Sequence, residues 1–252
     1  MNTRITAAAV VLWIGTLCLA PPASATPLSA GDIAFTGFNA DGPDGLAFVA
    51  LVDVSGGDSI LLINDTWNGS KFGNQGADLL WTAAGDVAAG TVITLSNINS
   101  VANRSASTGT LSGAAMSLSD NGQDVYAILG TRAVPVSFLA YLTTQSAAKY
   151  ANTGLTASDI AVLPSKIDVA EYIGPRTGQL ALADYRSLIS NTGANWNVVA
   201  GGGGDQSGQV LPFDATVFAA VPEASGSVLA GIGVLTLAGA GLGRRARRSR
   251  RE

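Results

Sequence analysis

Residues 31–54 read GDIAFTGFNADGPDGLAFVALVDV, and this stretch decides the fold. Two apolar runs, Asp32–Phe38 and Leu46–Asp53, flank a cluster of Asn, Asp, Gly and Pro. Those four residue types supply the tight-turn conformations that bring a chain back on itself. Runs of this length, rich in aromatic and β-branched residues and bounded by turn chemistry, are strands. They are apolar throughout rather than alternating, so both faces of each strand are expected to be covered.

The same grammar continues along the chain. Strands are expected at Ser59–Asn64, Asp78–Ala83, Thr91–Ser96, Ala115–Ser119, Asp124–Gly130 and Val136–Leu142. The second half is less regular. In GQLALADYRSLISN (178–191), Leu180, Leu182, Tyr185, Leu188 and Ile189 approach helical spacing, so one short helix is expected there. Asn195–Ala200 reads as a late strand and GGGGDQSGQ (201–209) as a flexible loop. A final strand is expected over Val210–Ala219, with Pro212 at its edge. Many short strands at even spacing predict a mainly β sandwich of about 190 residues, with that one helix.

The N-terminus carries a separate signal. Arg4 precedes an apolar core, Ile5–Ala20, which Pro21 and Pro22 end. Ala23 and Ala25 then place small residues at the −3 and −1 positions of a cleavage site before Thr26. A charged start, a short apolar helix and an A-x-A end describe a secretory signal peptide over 1–25, the substrate of a signal peptidase. The chain has one cysteine, Cys18, and it leaves with this segment. The mature protein then has no thiol and no histidine, which excludes disulfides, Cys/His zinc sites, thiol nucleophiles and a Ser-His-Asp triad.

Charge is unevenly distributed. Arg244, Arg245, Arg247, Arg248, Arg250 and Arg251 crowd the C-terminus. Between Thr26 and Val221 only seven basic residues face sixteen acidic ones, a balance of −9. Such a body repels phosphate backbones, so nucleic acid is not an expected partner. No G-x-S-x-G and no phosphate-binding glycine fingerprint occurs. Carboxylate chemistry stays open as an Asp-dependent polysaccharide hydrolase. Such an enzyme needs two placed carboxyls, and the sequence singles out no pair; Glu171 is the only Glu of the body.

Two oxygen-rich turns stand out. One gathers Asn39, Asp41 and Asp44 around Gly42; the other gathers Asp120, Asn121 and Asp124 around Gly122. Such loops can hold Ca²⁺, the one cofactor the sequence suggests, although neither completes an EF-hand. Ordinary hairpin turns use the same residues. Trp67 sits in a polar loop, NDTWNGSKFG, where it either stacks on a sugar or folds back over the sandwich. A calcium- or carbohydrate-binding adhesin, or an ice-binding protein, is therefore an alternative, although the threonines lack the repeat of an ice-binding face.

The tail, VPEASGSVLAGIGVLTLAGAGLGRRARRSRRE (221–252), carries the most specific pattern. Val228–Gly243 is uncharged and, as a helix, reaches about 24 Å, short of a ~30 Å hydrocarbon core. With the small residues before it, a single transmembrane helix over 226–243 is expected. The arginines of 244–252 would hold its end in the cytoplasm and leave the body outside. Val221, Pro222, Glu223 and Ala224, a short linker, a Gly/Ala/Leu span and terminal arginines resemble the PEP-CTERM sorting signal in order, spacing and position. Ala224 departs from that family's Pro-Glu-Pro. The same module carries the label ice-binding protein C-terminal domain. The resemblance implies processing by an exosortase and release from a transient membrane anchor to the cell surface or extracellular matrix. It covers 220–252 and speaks of route, not activity. The body, 26–219, resembles lamin-tail-like modules of exported bacterial proteins from Gly31 to Trp81. That resemblance implies an immunoglobulin-like sandwich for binding or scaffolding, with no catalytic residues and with extracellular polysaccharide as a candidate partner.

Overall fold

The computed structural model describes residues 26–201 and 207–221. The expected signal peptide with Ala23 and Ala25, the expected sorting-motif residues Pro222, Glu223 and Ala224, the expected span 226–243 and the terminal arginines lie outside the described residues. Among the described residues no helix is long and apolar enough to cross a membrane.

The chain is mainly β. Its strands are β1 (Ile33–Asn39), β2 (Gly45–Ala50), β3 (Ser59–Ile63), β4 (Asp78–Thr82), β5 (Val92–Ser96), β6 (Ser105–Ala106) and β7 (Thr110–Gly113). They continue as β8 (Asp124–Gly130), β9 (Pro135–Thr143), β10 (Ile160–Val162), β11 (Ile167–Tyr172), β12 (Thr177–Gln179), β13 (Trp196–Ala200) and β14 (Ala219–Ala220). One six-stranded sheet has the order β13-β11-β1-β2-β5-β6 and is antiparallel throughout. The other has the order β10-β9-β8-β3-β4-β7 and is antiparallel except for β10 beside β9. A small parallel pair joins β12 to β14.

The opening hairpin forms as its sequence requires. β1 and β2 pair from Ile33 opposite Ala50 to Asn39 opposite Gly45, and every residue of both is buried. Their inner side chains meet the second sheet; the Phe48 ring lies edge-on to Trp81 at 5.5 Å. Ala47, one residue from Phe48, faces outward opposite Gly37, and the Phe213 ring covers it there. A β-carbon at Gly37 would come within 2.8 Å of that ring, so glycine is required for this close approach. Between Phe35 and Gly37 the register shifts by a bulge, and Thr36 within it is buried with its hydroxyl unpartnered.

Three expectations change. Ala115–Ser119 is not a strand: the Met116 amide bonds to Ile98 and the Leu118 amide to the Asp44 carboxylate, so loops rather than a strand hold it. The expected helix over 178–191 begins with β12 and a 3₁₀ turn at 182–184, and the α-helix α1 spans only Tyr185–Ile189. The expected final strand reduces to β14: before it, the Val210 and Leu211 amides bond back to Ser207 and the Asp214 amide bonds the Glu171 carboxylate, so no strand ladder forms there. The loop expected over 201–209 falls partly outside the described residues, and its end, 207–209, is a 3₁₀ turn.

Candidate functional site

The outer face of the second sheet carries an aromatic layer. Cross-strand pairing sets Tyr126 opposite Tyr141 and Ile128 opposite Phe138. The tyrosine rings stack at 4.2 Å. The loop after β3 folds over them and brings in Trp67 and Phe72, each 5.0 Å or more from its nearest ring neighbours. Trp67 is buried, and its indole N–H donates to the Ala151 carbonyl at 2.8 Å. It folds back on the sheet and packs against Phe72 and Phe138. Arg132 fastens this loop by bonding Asp65 and Asp78, both at 2.6 Å, and the Gly73 and Gly76 carbonyls.

Where this loop meets the segment 148–155, a cleft of about 770 Å³ opens. Thr66, Trp67, Asn68, Lys149, Tyr150 and Asn152 are among its lining residues. Tyr150 is 37% exposed and is the aromatic surface a ligand can reach. Asn68 uses its carbonyl oxygen to cap its own turn, at the Ser70 and Lys71 amides. Asn152 donates to the Gly69 carbonyl and joins the two walls. Sequence reasoning singled out Trp67 here and gave Tyr150 and Lys149 no special place; nothing in the local pattern distinguishes them, because the pairing of distant loops makes the cleft.

Below the cleft lies Asp124. Its Oδ1 accepts from the Tyr141 hydroxyl at 2.5 Å and the Thr143 hydroxyl at 2.8 Å. Its Oδ2 accepts from the Thr66 hydroxyl and the Gln145 amide, with the Lys149 ammonium at 3.6 Å. A carboxylate has about four acceptor positions, and all of these are occupied. Burial pushes the Tyr141 phenol up to about 12, with the Asp124 bond adding to it. The Tyr126 phenol, which donates to the Lys149 carbonyl at 2.6 Å, is likewise raised by burial.

The two oxygen-rich turns separate into individual roles. Asp120 and Asn121 are exposed, and the Asn121 amide bonds to the Ser119 hydroxyl, whereas Asp124 points into the network above. In the other turn, Asn39 donates to the Pro43 carbonyl and accepts from the Asp41 amide. The Asp44 carboxylate is 5% exposed and accepts from the Leu118 amide at 2.9 Å. Burial raises its pKa to about 6, against the lowering effect of that bond and with a further push from Asp41. No group of three or more acidic, His or Cys side chains is gathered as for a metal ion among the described residues.

The C-terminal segment forms a strap. Phe213 seals the outer face beside Gly37 and Gly45. The Asp214 amide donates to Glu171, and its carboxylate pairs with Arg176 at 3.3 Å. Hydrogen bonds from Thr216 lower the Asp214 pKa, whereas burial raises that of Glu171. The Phe218 ring lies under Arg176 at 4.9 Å and packs on Tyr172 and Tyr185. Its amide donates to Gly90, where a β-carbon would stand 2.1 Å from the Phe218 carbonyl oxygen. The Val221 amide donates to the Gln179 carbonyl at 2.7 Å. Val221 is thus the one residue of the tail motif among those described. No family model, no curated protein and no solved structure matches the chain.

Proposed function

We propose that this is an exported, non-enzymatic protein of the cell surface or extracellular matrix. Its immunoglobulin-like, lamin-tail-like body is delivered by a C-terminal sorting signal that an exosortase processes. The observation that carries this reading is the order of the tail: Val-Pro-Glu-Ala, a short linker, a short uncharged span and terminal arginines. The strap is in keeping with it, because its buried rings, Phe213 and Phe218, both precede Pro222. A cut within the motif would then leave those two rings on the body. The non-enzymatic reading draws on the absence of histidine and on the hydrogen bonds that occupy Asp124, Asp65 and Asp44. Intact mass of protein from medium and from membranes tests it. A released species ending near Pro222–Glu223 is expected; a full-length form ending at Glu252 and retained in the membrane overturns it.

One observation favours a second activity for the same body, binding of extracellular polysaccharide. Tyr150, Asn68 and Asn152 line the cleft together, and Tyr150 is partly exposed there. An aromatic face with amides around it suits the apolar face and hydroxyls of a sugar. Affinity electrophoresis in polysaccharide gels checks this: Tyr150→Ala is expected to abolish retardation, and equal retardation of the two proteins refutes it.

A further inference from the structure

Two uncharged segments, each with exposed apolar residues, lie side by side next to Val221. β12 and β14 run parallel, with Thr177 opposite Ala219 and Gln179 opposite Ala220. From 217 to 221 exposure alternates. Phe218 turns inward against Tyr172 and Tyr185, while Val217, Ala219 and Val221 face out. On the neighbouring segment Leu180 is 78% exposed, the highest value for a large apolar side chain among the described residues, and Ala181 follows it. Val217 and Val221 are 56% and 43% exposed. Scattered apolar residues on a surface carry no message, but these lie on and beside two paired strands in a body rich in acidic residues.

Their position gives them an occupant. Both segments run in the same direction, toward Val221. Only Pro222–Ser227 then separate Val221 from the uncharged run Val228–Gly243. Six residues reach at most about 20 Å when fully extended. A body tethered that closely to an inserted span presents its exit pole to the bilayer. With its balance of −9 the body is repelled by anionic headgroups, and an uncharged strip meets them at the least electrostatic cost. We propose that Leu180, Ala181, Val217, Ala219 and Val221 form a membrane-resting face that lies on the lipid surface while the tail is anchored. The proposal rests on reading 226–243 as a transmembrane segment.

Single cysteines carrying an environment-sensitive nitrobenzoxadiazole dye test it in the full-length chain with Cys18→Ser. The chain is reconstituted in phosphatidylethanolamine/phosphatidylglycerol vesicles without any processing enzyme. Label positions are Val217→Cys and Leu180→Cys on the strip, Leu235→Cys in the span and Asn121→Cys as control. Leu118, three residues before Asn121, bonds Asp44 just before β2, whereas Phe218, next to Val217, bonds Gly90 at the Ala50 end. The expected result is blue-shifted emission at 217, 180 and 235, lost on adding acyl-chain nitroxide lipids, with water-like emission at 121. Lipid quenching at 235 with water-like emission at 217 and 180 overturns the membrane-resting face alone. Water-like emission at 235 overturns the transmembrane reading and the face with it. A blue shift at 217 and 180 that resists lipid quenching and grows with protein density assigns the strip to a second copy, which also overturns the proposal.

Discussion

Replacing Asp44 with asparagine removes a carboxylate that the folded chain holds at 5% exposure. Burial raises this group from 3.8 to about 6. In the unfolded chain it ionises near its ordinary value, so between about pH 4 and pH 6 the folded state binds more proton than the unfolded state. Stability therefore falls as pH rises through that window, and above pH 6 the full cost is present. A difference of about two pH units corresponds to about 3 kcal/mol at neutral pH. Asparagine keeps an acceptor for the Leu118 amide and carries no charge at any pH. Asp44→Asn is expected to match the parent near pH 4 and to exceed it by about 2–3 kcal/mol at pH 7. For a domain of this size each kcal/mol moves Tm by about 2–4 °C, so the gain at pH 7 is about 5–10 °C. Urea unfolding followed by tryptophan fluorescence from pH 4 to pH 8 reads the difference directly. Glu171, also raised by burial, slopes the same way in both proteins and cancels in the comparison. A difference that does not change with pH, or a variant less stable at pH 7, refutes the reasoning.

Thr36 buries a hydroxyl with no hydrogen-bond partner, so Thr36→Val is expected to raise stability by about 1 kcal/mol in the same urea assay. A loss would show that the hydroxyl has a role in the bulge. Phe213→Ala empties the space over Gly37 and is expected to cost about 3–4 kcal/mol, with faster proteolysis of the strap than of the sheets. Unchanged cleavage would mean that the strap holds without this ring. Because Asp124 is already saturated by protein donors, EDTA and added Ca²⁺ are expected to leave the unfolding temperature unchanged. A rise of several degrees with Ca²⁺ would place an ion at one of the turns.

The parts of the fold that were legible in the sequence are those whose causes are local. β1, β2, β3, β4, β5, β8 and β9 are apolar runs bounded by turn residues; each forms within one residue of its expected limits except β2, which ends at Ala50, three residues before the expected Asp53. The strand β11 was not legible, because IDVAEY carries Asp168 and Glu171 and follows Lys166 at a positive φ. Pairing with β1 on one side and β13 on the other makes it a strand, and neither partner is near in sequence. β6 and β7 are short and rich in Ser, Thr and Gly, so their neighbours alone define them. The opposite error at Ala115–Ser119 has the same origin: apolar Met116 and Leu118 are buried, but their amides find loop partners.

The candidate site divides in the same way. Trp67 and Phe72 lie in a polar loop, and their destination depends on the rings that β8 and β9 present outward, which alternation in those strands does foreshadow. The cleft itself, with Tyr150 and Lys149, comes from two loops about 80 residues apart and leaves no local mark. The oxygen-rich turns were legible as turns. That Asp44 and Asp124 turn inward while Asp120 stays in water follows from packing around the second sheet.

The strap constrains where any release of the body can take place. A cut before Phe218 would remove the ring that Arg176, Tyr172 and Tyr185 enclose, and a cut before Phe213 would also uncover the outer face of β1 and β2. Each of these losses is on the order of the 3–5 kcal/mol that follows removal of a buried aromatic side chain. That is a large share of the 5–15 kcal/mol that holds a domain folded. A cut at Pro222–Glu223 follows both rings in the chain and leaves their burial in place, so the packing of Phe213 and Phe218 sets the earliest point at which release spares the body.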